Sequence, residues 1–155
     1  MEGRTYSYNQ LRETLVVAES TRRSMQGNRS TGTQPEKLVR KALWAEGARG
    51  YRKNVRNLPG KPDIVFGSHK LAIFVHGCYW HQCPICNRNR APKTNALYWK
   101  AKFEANVERD RIAEAKLQEL GYRVEIVWEC QVRKDMPAVI ASLLAVFATP
   151  PAADK

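Results

Sequence analysis

Apolar and polar residues alternate with several different periods along this chain, and the changes of period divide it. Residues 1–32 show little apolar periodicity after Val17 and carry Arg22, Arg23 and Arg29 among Ser, Thr, Gly and Asn, which predicts a flexible basic N-terminal arm. A helix is expected from Thr33, whose hydroxyl can cap it, with Pro35 in its first turn. Leu38, Val39, Ala42 and Leu43 form its apolar stripe, and it should stop near Gly47. Three short β-branched and aromatic runs follow, at 51–55, 63–66 and 70–75, separated by Asn57-Leu58-Pro59-Gly60-Lys61-Pro62 and by Gly67-Ser68. Such runs between turn residues predict a meander of strands, the second and third apolar enough to be central in a sheet.

Residues 77–93 follow neither period and contain three cysteines plus Pro84 and Pro92, so this loop needs something to hold it. From about Thr94 to Leu120 a long helix is expected, with Phe103, Val107, Asp110, Leu117 and Leu120 on one stripe, which turns Asp110 toward the buried face. Gly121 ends that helix, 122–128 reads as another strand and 137–147 as a terminal helix. Helix, three strands, long helix, strand, helix is the order of an α/β fold: a central mixed sheet flanked by helices, with its last strand reached by a helical crossover. One domain over 33–150 is expected behind the arm, with sites at the strand ends.

Composition narrows the partner. The 155 residues hold 26 Lys and Arg against 15 Asp and Glu, a net charge of +11 spread along the chain. A polyanion is the natural ligand, and nucleic acid fits best because Lys and Arg supply the sequence-independent part of DNA affinity. No window approaches the roughly twenty apolar residues needed to span a bilayer, and the N-terminus lacks the hydrophobic stretch of a secretory signal. No membrane role and a cytoplasmic location are therefore expected. In a reducing compartment the four cysteines are better explained as metal ligands than as disulfide partners.

Cys83-Pro84-Ile85-Cys86 is a Cys-x-x-Cys knuckle, preceded by Cys78 and followed at a distance by Cys130 just beyond a strand. Four thiolates can close a tetrahedral zinc site, and with all four cysteines used no position stays open for water, so the zinc would be structural. It would pin the 77–93 loop to the end of the last strand. The plainer alternative is four buried free thiols.

Pro62-Asp63 at the start of an apolar strand, followed by a strand ending Phe74-Val75-His76, resembles the Pro-Asp…(Asp/Glu)-x-Lys core of metal-dependent nucleases, with Phe74 in the place of the second acid and His76 in that of the lysine. Phosphodiester hydrolysis uses hard cations to offset charge on the phosphate, and carboxylate oxygens are the ligands they prefer. Asp63 could instead cap the turn after Pro62, and His76 could be a satisfied core histidine.

Taken together, Pro62-Asp63-Ile64-Val65, Phe74-Val75-His76-Gly77-Cys78-Tyr79-Trp80-His81, Asn106-Val107-Glu108-Arg109-Asp110 and Val127-Trp128-Glu129-Cys130 resemble the very short patch repair endonucleases over roughly residues 22–130. The resemblance implies a restriction-endonuclease-like core and an Mg²⁺-dependent enzyme that cuts one strand of double-stranded DNA 5′ of the thymine in a T:G mismatch left by 5-methylcytosine deamination. It implies that Asp63 and the carbonyl of Val75 hold magnesium, that His76 and Glu36 hold its waters, and that His81, supported by Asp110, transfers a proton at the scissile phosphate. It implies a wedge of Tyr79, Trp80 and Trp99 inserted into the duplex, with Met25, Arg22 and Arg23 also touching DNA. An aromatic wedge costs least where the duplex is already poorly stacked, so it would select a mismatch. A single asymmetric lesion suits a monomer.

Each residue also has a plainer account. Thr33-Gln34-Pro35-Glu36 is itself a capping box, His81 could be an exposed loop residue, Asp110 could face solvent, and Trp99 could be core. The chain departs from the family in having Cys83 where histidine is expected, Val75 for the usual Thr, Tyr79 for the commoner Phe, and a longer lead before Arg22. Two rival functions follow from the same residues: a restriction-like or modification-linked nickase that needs no mismatch, and a zinc-pinned DNA-binding module without catalysis.

Overall fold

The computed structural model of the chain describes residues 7–13, 19–27, 31–88 and 90–151. Short helices α1 (Tyr8–Glu13) and α2 (Glu19–Gly27) precede α3 (Gln34–Ala45). Strands β1 (Arg52–Lys53), β2 (Ile64–Phe66) and β3 (Leu71–His76) follow, then the long α4 (Ala96–Glu119), β4 (Arg123–Trp128), α5 (Glu129–Lys134) and α6 (Met136–Ala148).

The four strands form one sheet in the order β1-β2-β3-β4. β1, β2 and β3 are antiparallel neighbours, as a meander requires, whereas β4 lies parallel to β3 with Leu71 opposite Arg123 and His76 opposite Trp128. A parallel neighbour needs a crossover, and α4 supplies it. Alternation along β3 then builds two cores. Leu71, Ile73 and Val75 face Val39 and Leu43 of α3, Val132 of α5, and Val139, Ile140 and Leu143 of α6. Ala72 and Phe74 face Leu117 of α4 on the other side. The outcome is a three-layer α/β/α arrangement whose central strands are buried throughout, as the apolar runs predicted.

Two expectations need correction. Within the segment expected to be a flexible basic arm, α1 and α2 are helical, and Tyr8 and Leu11, three residues apart on one face of α1, pack against Tyr98, Trp99 and Phe103 at the start of α4. The stripe of α4 is also displaced. Val107 is 44% and Leu120 53% exposed, while Trp99, Phe103, Ala113 and Leu117 are buried. A period of 3.6 carries the buried face through 99, 103, 106, 110, 113 and 117; Val107 falls to one side of it and Leu120 is already the C-cap. Asp110 stays on the inward side. The sequence pattern also missed α5, one and a half turns too short to show a period.

The 56–61 loop is locked onto α4. Gly60 has φ of +71°, and a Cβ at that position would sit 2.6 Å from the Cβ of Ala113 and 3.1 Å from the ring of Phe74. Neither the helix backbone nor a buried ring can withdraw easily. Gly60→Ala should therefore cost about 3 kcal/mol, combining overpacking with left-handed backbone strain, read as a lowered urea midpoint at unchanged slope; an unaltered midpoint would mean that the loop lifts freely from the helix.

Candidate active site

Where β2 and β3 reach the end of their ladder, Asp63 takes over from the backbone. Its N–H donates to the Ile73 carbonyl at 3.1 Å, and its Oδ2 accepts from the Val75 N–H at 2.8 Å. Oδ1 has no hydrogen-bond partner among the described residues and remains available to a ligand. Burial pushes the Asp63 pKa up to about 7, and the nearby Glu36 adds to the rise, against smaller opposing effects of the Val75 N–H, His81 and Arg40. A carboxylate so placed gains by meeting a cation.

Glu36 enters from α3 on the other side and is 2% exposed. Its oxygens accept from the Gly32 N–H (2.8 Å) and the Thr33 hydroxyl (3.1 Å), with Arg40 at 3.5 Å, while Thr33 Oγ1 accepts from the Glu36 N–H at 3.5 Å. Thr33 caps α3 as its sequence predicts, but the return bond of a capping box is replaced by one from the Gly32 N–H, and the Glu36 carboxylate lies beside Asp63.

His76, at the end of β3, projects on the side of Phe74 and α4. Its ring stacks on His81 at 3.9 Å with 10° between planes, and Trp128 meets it edge-on at 5.4 Å. Burial drives the His76 pKa down to about 4, and His81 contributes in the same direction. His76 is thus neutral at pH 7, and the stacked pair does not carry two positive charges. His81 Nδ1 lies 2.6 Å from Asp110 Oδ2, both side chains about 30% exposed. The carboxylate fixes the proton on Nδ1 and leaves Nε2 free to accept or give one. Metal-ligating atoms of His76, His81 and Asp110 lie within 4.8 Å of one another. Parallel stacked rings, however, point their lone pairs side by side instead of toward a common centre, so this trio suits proton transfer better than ion binding.

The loop carrying His81 is clasped by sulfur. The four Sγ atoms of Cys78, Cys83, Cys86 and Cys130 lie within 4.8 Å of one another. Cys83 and Cys130 are 3.7 Å apart, close to the edge of about 3.8 Å expected for a thiolate tetrahedron with Zn–S bonds of about 2.3 Å. Backbone N–H groups donate to sulfur from Ile85 to Cys83 (3.4 Å) and from Cys130 to Cys78 (3.3 Å). An N–H from Arg88 holds the Cys86 thiol below its ordinary value, while burial pushes Cys78 well above it. The donor set fits a soft divalent ion held for structure.

Tyr79 and Trp80 lie beside this clasp and pack with Trp99, Phe103 and Tyr98. Tyr79 meets Trp80 and Phe103 edge-on at 5.0 and 5.1 Å, and Trp99 is 8% exposed. Three contributors had been given no role of their own in the sequence reading. Arg40 faces Glu36, Asn106 Nδ2 donates to the Trp80 carbonyl at 3.0 Å, and the Lys102 ammonium lies 4.9 Å from Trp80 and 5.1 Å from Trp99. Asn106 could have been found from the corrected stripe, four residues before Asp110. Arg22 and Arg23 are exposed on α2, where Arg23 pairs with Glu19 at 3.6 Å; the side chain of Met25 lies outside the described residues.

Residues 16–88 match the family described as DNA mismatch endonuclease Vsr. The type II nicking enzyme V.XorIIP of Xanthomonas oryzae pv. oryzae is 46% identical over 125 residues, covering 81% of this chain and 90% of the relative. The type II nicking enzyme V.NaeI of Lentzea aerocolonigenes is 44% identical over 127 residues (79% and 75%), and the DNA mismatch endonuclease Vsr of Escherichia coli is 40% identical over 111 (72% and 70%). The chain belongs to the Vsr family. As a Vsr-family protein it is a DNA endonuclease. Among the described residues of this Vsr-family chain, no helix is long and apolar enough to cross a membrane.

The two buried groups titrate with opposite signs. Asp63 keeps its proton in the fold up to about pH 7 but loses it near 3.8 when unfolded, so between those values its contribution to stability falls as pH rises. His76 stays neutral in the fold down to about pH 4 but charges near 6.5 when unfolded, so its contribution rises with pH. In magnesium-free buffer the two should largely cancel between pH 4.5 and 6.5. Asp63→Asn keeps an acceptor for Val75 and removes one side of the balance; its stability relative to the wild type should increase with pH by up to about 1.4 kcal/mol per unit. Urea titrations at several pH values measure this, and parallel curves would contradict it.

Proposed function

We propose that this protein nicks one strand of duplex DNA 5′ of the thymine in a T:G mismatch, with Mg²⁺ at Asp63 and Zn²⁺ in the cysteine clasp. The observation that carries the proposal is a juxtaposition: a buried carboxylate with one open oxygen lies beside a carboxylate-bound imidazole, on a loop that also presents Tyr79 and Trp80. Family membership supports DNA as the substrate, and the name of the Escherichia coli relative supports a mismatch.

Asp63 Oδ1 and the Val75 carbonyl would hold magnesium, and the ion, when bound, offsets the charge that builds on the scissile phosphate. The remaining steps belong to side chains. His81, with Nδ1 committed to Asp110, presents Nε2 to accept a proton from attacking water or to give one to the leaving oxygen. His76, neutral and stacked, holds the His81 ring in its plane without competing for the proton. Glu36, tied to the α3 cap, adds negative charge beside Asp63; it opposes ionisation of Asp63 while the site is empty and would attract a divalent cation to it. Tyr79, Trp80 and Trp99 would form the wedge, with Met25, Arg22 and Arg23 toward the DNA.

A second reading, nicking tied to a sequence context with no mismatch required, is favoured by relatives named as type II nicking enzymes. Supercoil-free duplexes of one sequence, matched and carrying a single T:G pair, separate the two when incubated with protein and Mg²⁺. The mismatched duplex should be nicked in one strand and the matched one left intact; equal nicking would remove the mismatch requirement. Asp63→Ala should lower nicking by about 10³-fold or more while binding persists, and retained cleavage would exclude Asp63 as the metal ligand.

Zinc is tested apart from activity. Purified protein should release about one zinc per chain when its thiols are titrated with a mercurial. Cys130→Ala, which removes the ligand tying the loop to α5, should abolish stoichiometric zinc and lower Tm; a variant with full zinc content would show that the clasp closes without Cys130.

A further inference from the structure

We propose that the groove between the 56–61 loop and α4 is a second phosphate site, which anchors the DNA backbone next to the scissile position through Arg56, Lys61, Arg109 and Lys116. The groove has a volume of about 390 Å³ and carries these four cations on its walls, with Leu58 and Ile112 also lining it; no acidic residue takes part. The inference rests on the protein's being a DNA endonuclease and adds a place where its substrate is held.

Charge is the first argument. Among the described residues none of the four cations forms an ion pair, although α4 is rich in carboxylates. Glu104 is taken by Lys100 and Glu108 by Arg111, whereas Arg109 donates only to the amide oxygen of Asn106. Four like charges around one groove repel, and the repulsion is relieved when an anion enters. The groove also keeps its shape without ligand. Gly60 seats the loop against Ala113, and Lys61, with φ of +54°, is turned away from extended backbone.

Position is the second argument. Lys61 is two residues before Asp63, and Arg109 is next to Asp110, so each wall is continuous along the chain with a residue of the candidate site. From Arg109 to Lys116 the helix advances about 10 Å, long enough to follow more than one phosphate of a DNA strand. No aromatic residue lines it, so it offers no surface on which a base could stack. Those features select backbone phosphates over a nucleotide base.

Arg56→Gln and Lys116→Gln, one from each wall, test the proposal singly and together in the full chain. Both side chains are exposed, and circular dichroism checks that the fold is retained. Affinity for matched and T:G duplexes is measured without magnesium over a range of salt. Each single variant should reduce the slope of log K against log salt by about one, and the double variant by about two, with equal affinity loss on both duplexes. Wild-type slopes in the double variant would overturn the site, and so would a loss confined to the mismatched duplex, since that indicates base readout. Wild-type protein that neither binds nor nicks any duplex would instead contradict the reading of the enzyme itself.

Discussion

The carboxylate of Asp63 is buried where a sheet runs out of backbone partners, and much of the molecule is arranged around that placement. One oxygen completes the β2–β3 ladder through the Val75 N–H, which fixes the side chain as firmly as a backbone group. The other is left open in surroundings that hold the carboxyl near pKa 7. Without a counter-charge this is an unfavourable arrangement, for burial and Glu36 both oppose ionisation. With a divalent cation the same features become affinity. Arg40 prevents the Asp63–Glu36 pair from becoming prohibitive, yet at 3.5 Å it is attached to Glu36 and leaves Asp63 free.

The proposed reaction needs the His81 imidazole fixed against the Asp63 carboxylate, and the two arrive on elements of different kinds. His81 stands on a loop with no helix or strand of its own, so its position depends on three restraints from outside. The sulfur clasp ties the loop to Cys130 at the start of α5, Asp110 reaches from α4, and His76 stacks from β3. Each comes from an element bearing core side chains. The imidazole is therefore located by the whole sandwich, although the local chain would leave it loose.

The parts legible in the sequence are those written in short-range pattern. The β2 and β3 runs announced buried strands, Thr33 with Pro35 announced a helix start, and the order of elements announced a last strand reached by a helical crossover, which the structure sets parallel to β3. The cysteine spacing brought Cys78, Cys83 and Cys86 together, and Cys130 joined them because a parallel β4 ends level with β3. What stayed hidden depends on tertiary contact. Tyr8 and Leu11 gave no sustained period, yet they form a helix turn because Tyr98 offers them a surface. Val107 looked like core because counting by fours over-runs a 3.6-residue turn, and the same miscount left Asn106, though part of a quoted motif, off the inward stripe. The stacking of His76 on His81 joins a strand to a loop, and no spacing rule describes such a contact.

The aromatic cluster sets a condition on any wedge mechanism. Tyr79, Trp80 and Trp99 contact one another and Phe103, with Lys102 drawn over the tryptophan rings. Moving such rings between base pairs gives up edge contacts worth about 0.5–1.5 kcal/mol each, and opening a base step costs a few kcal/mol more. Ring–base stacking at about 1–3 kcal/mol per base offsets part of that cost on an intact duplex. A mismatch lowers only the cost of opening. Rings that must first leave a packed cluster need that reduction more than rings standing free in solvent would. Asn106, by donating to the Trp80 carbonyl, ties the backbone that carries the ring to α4.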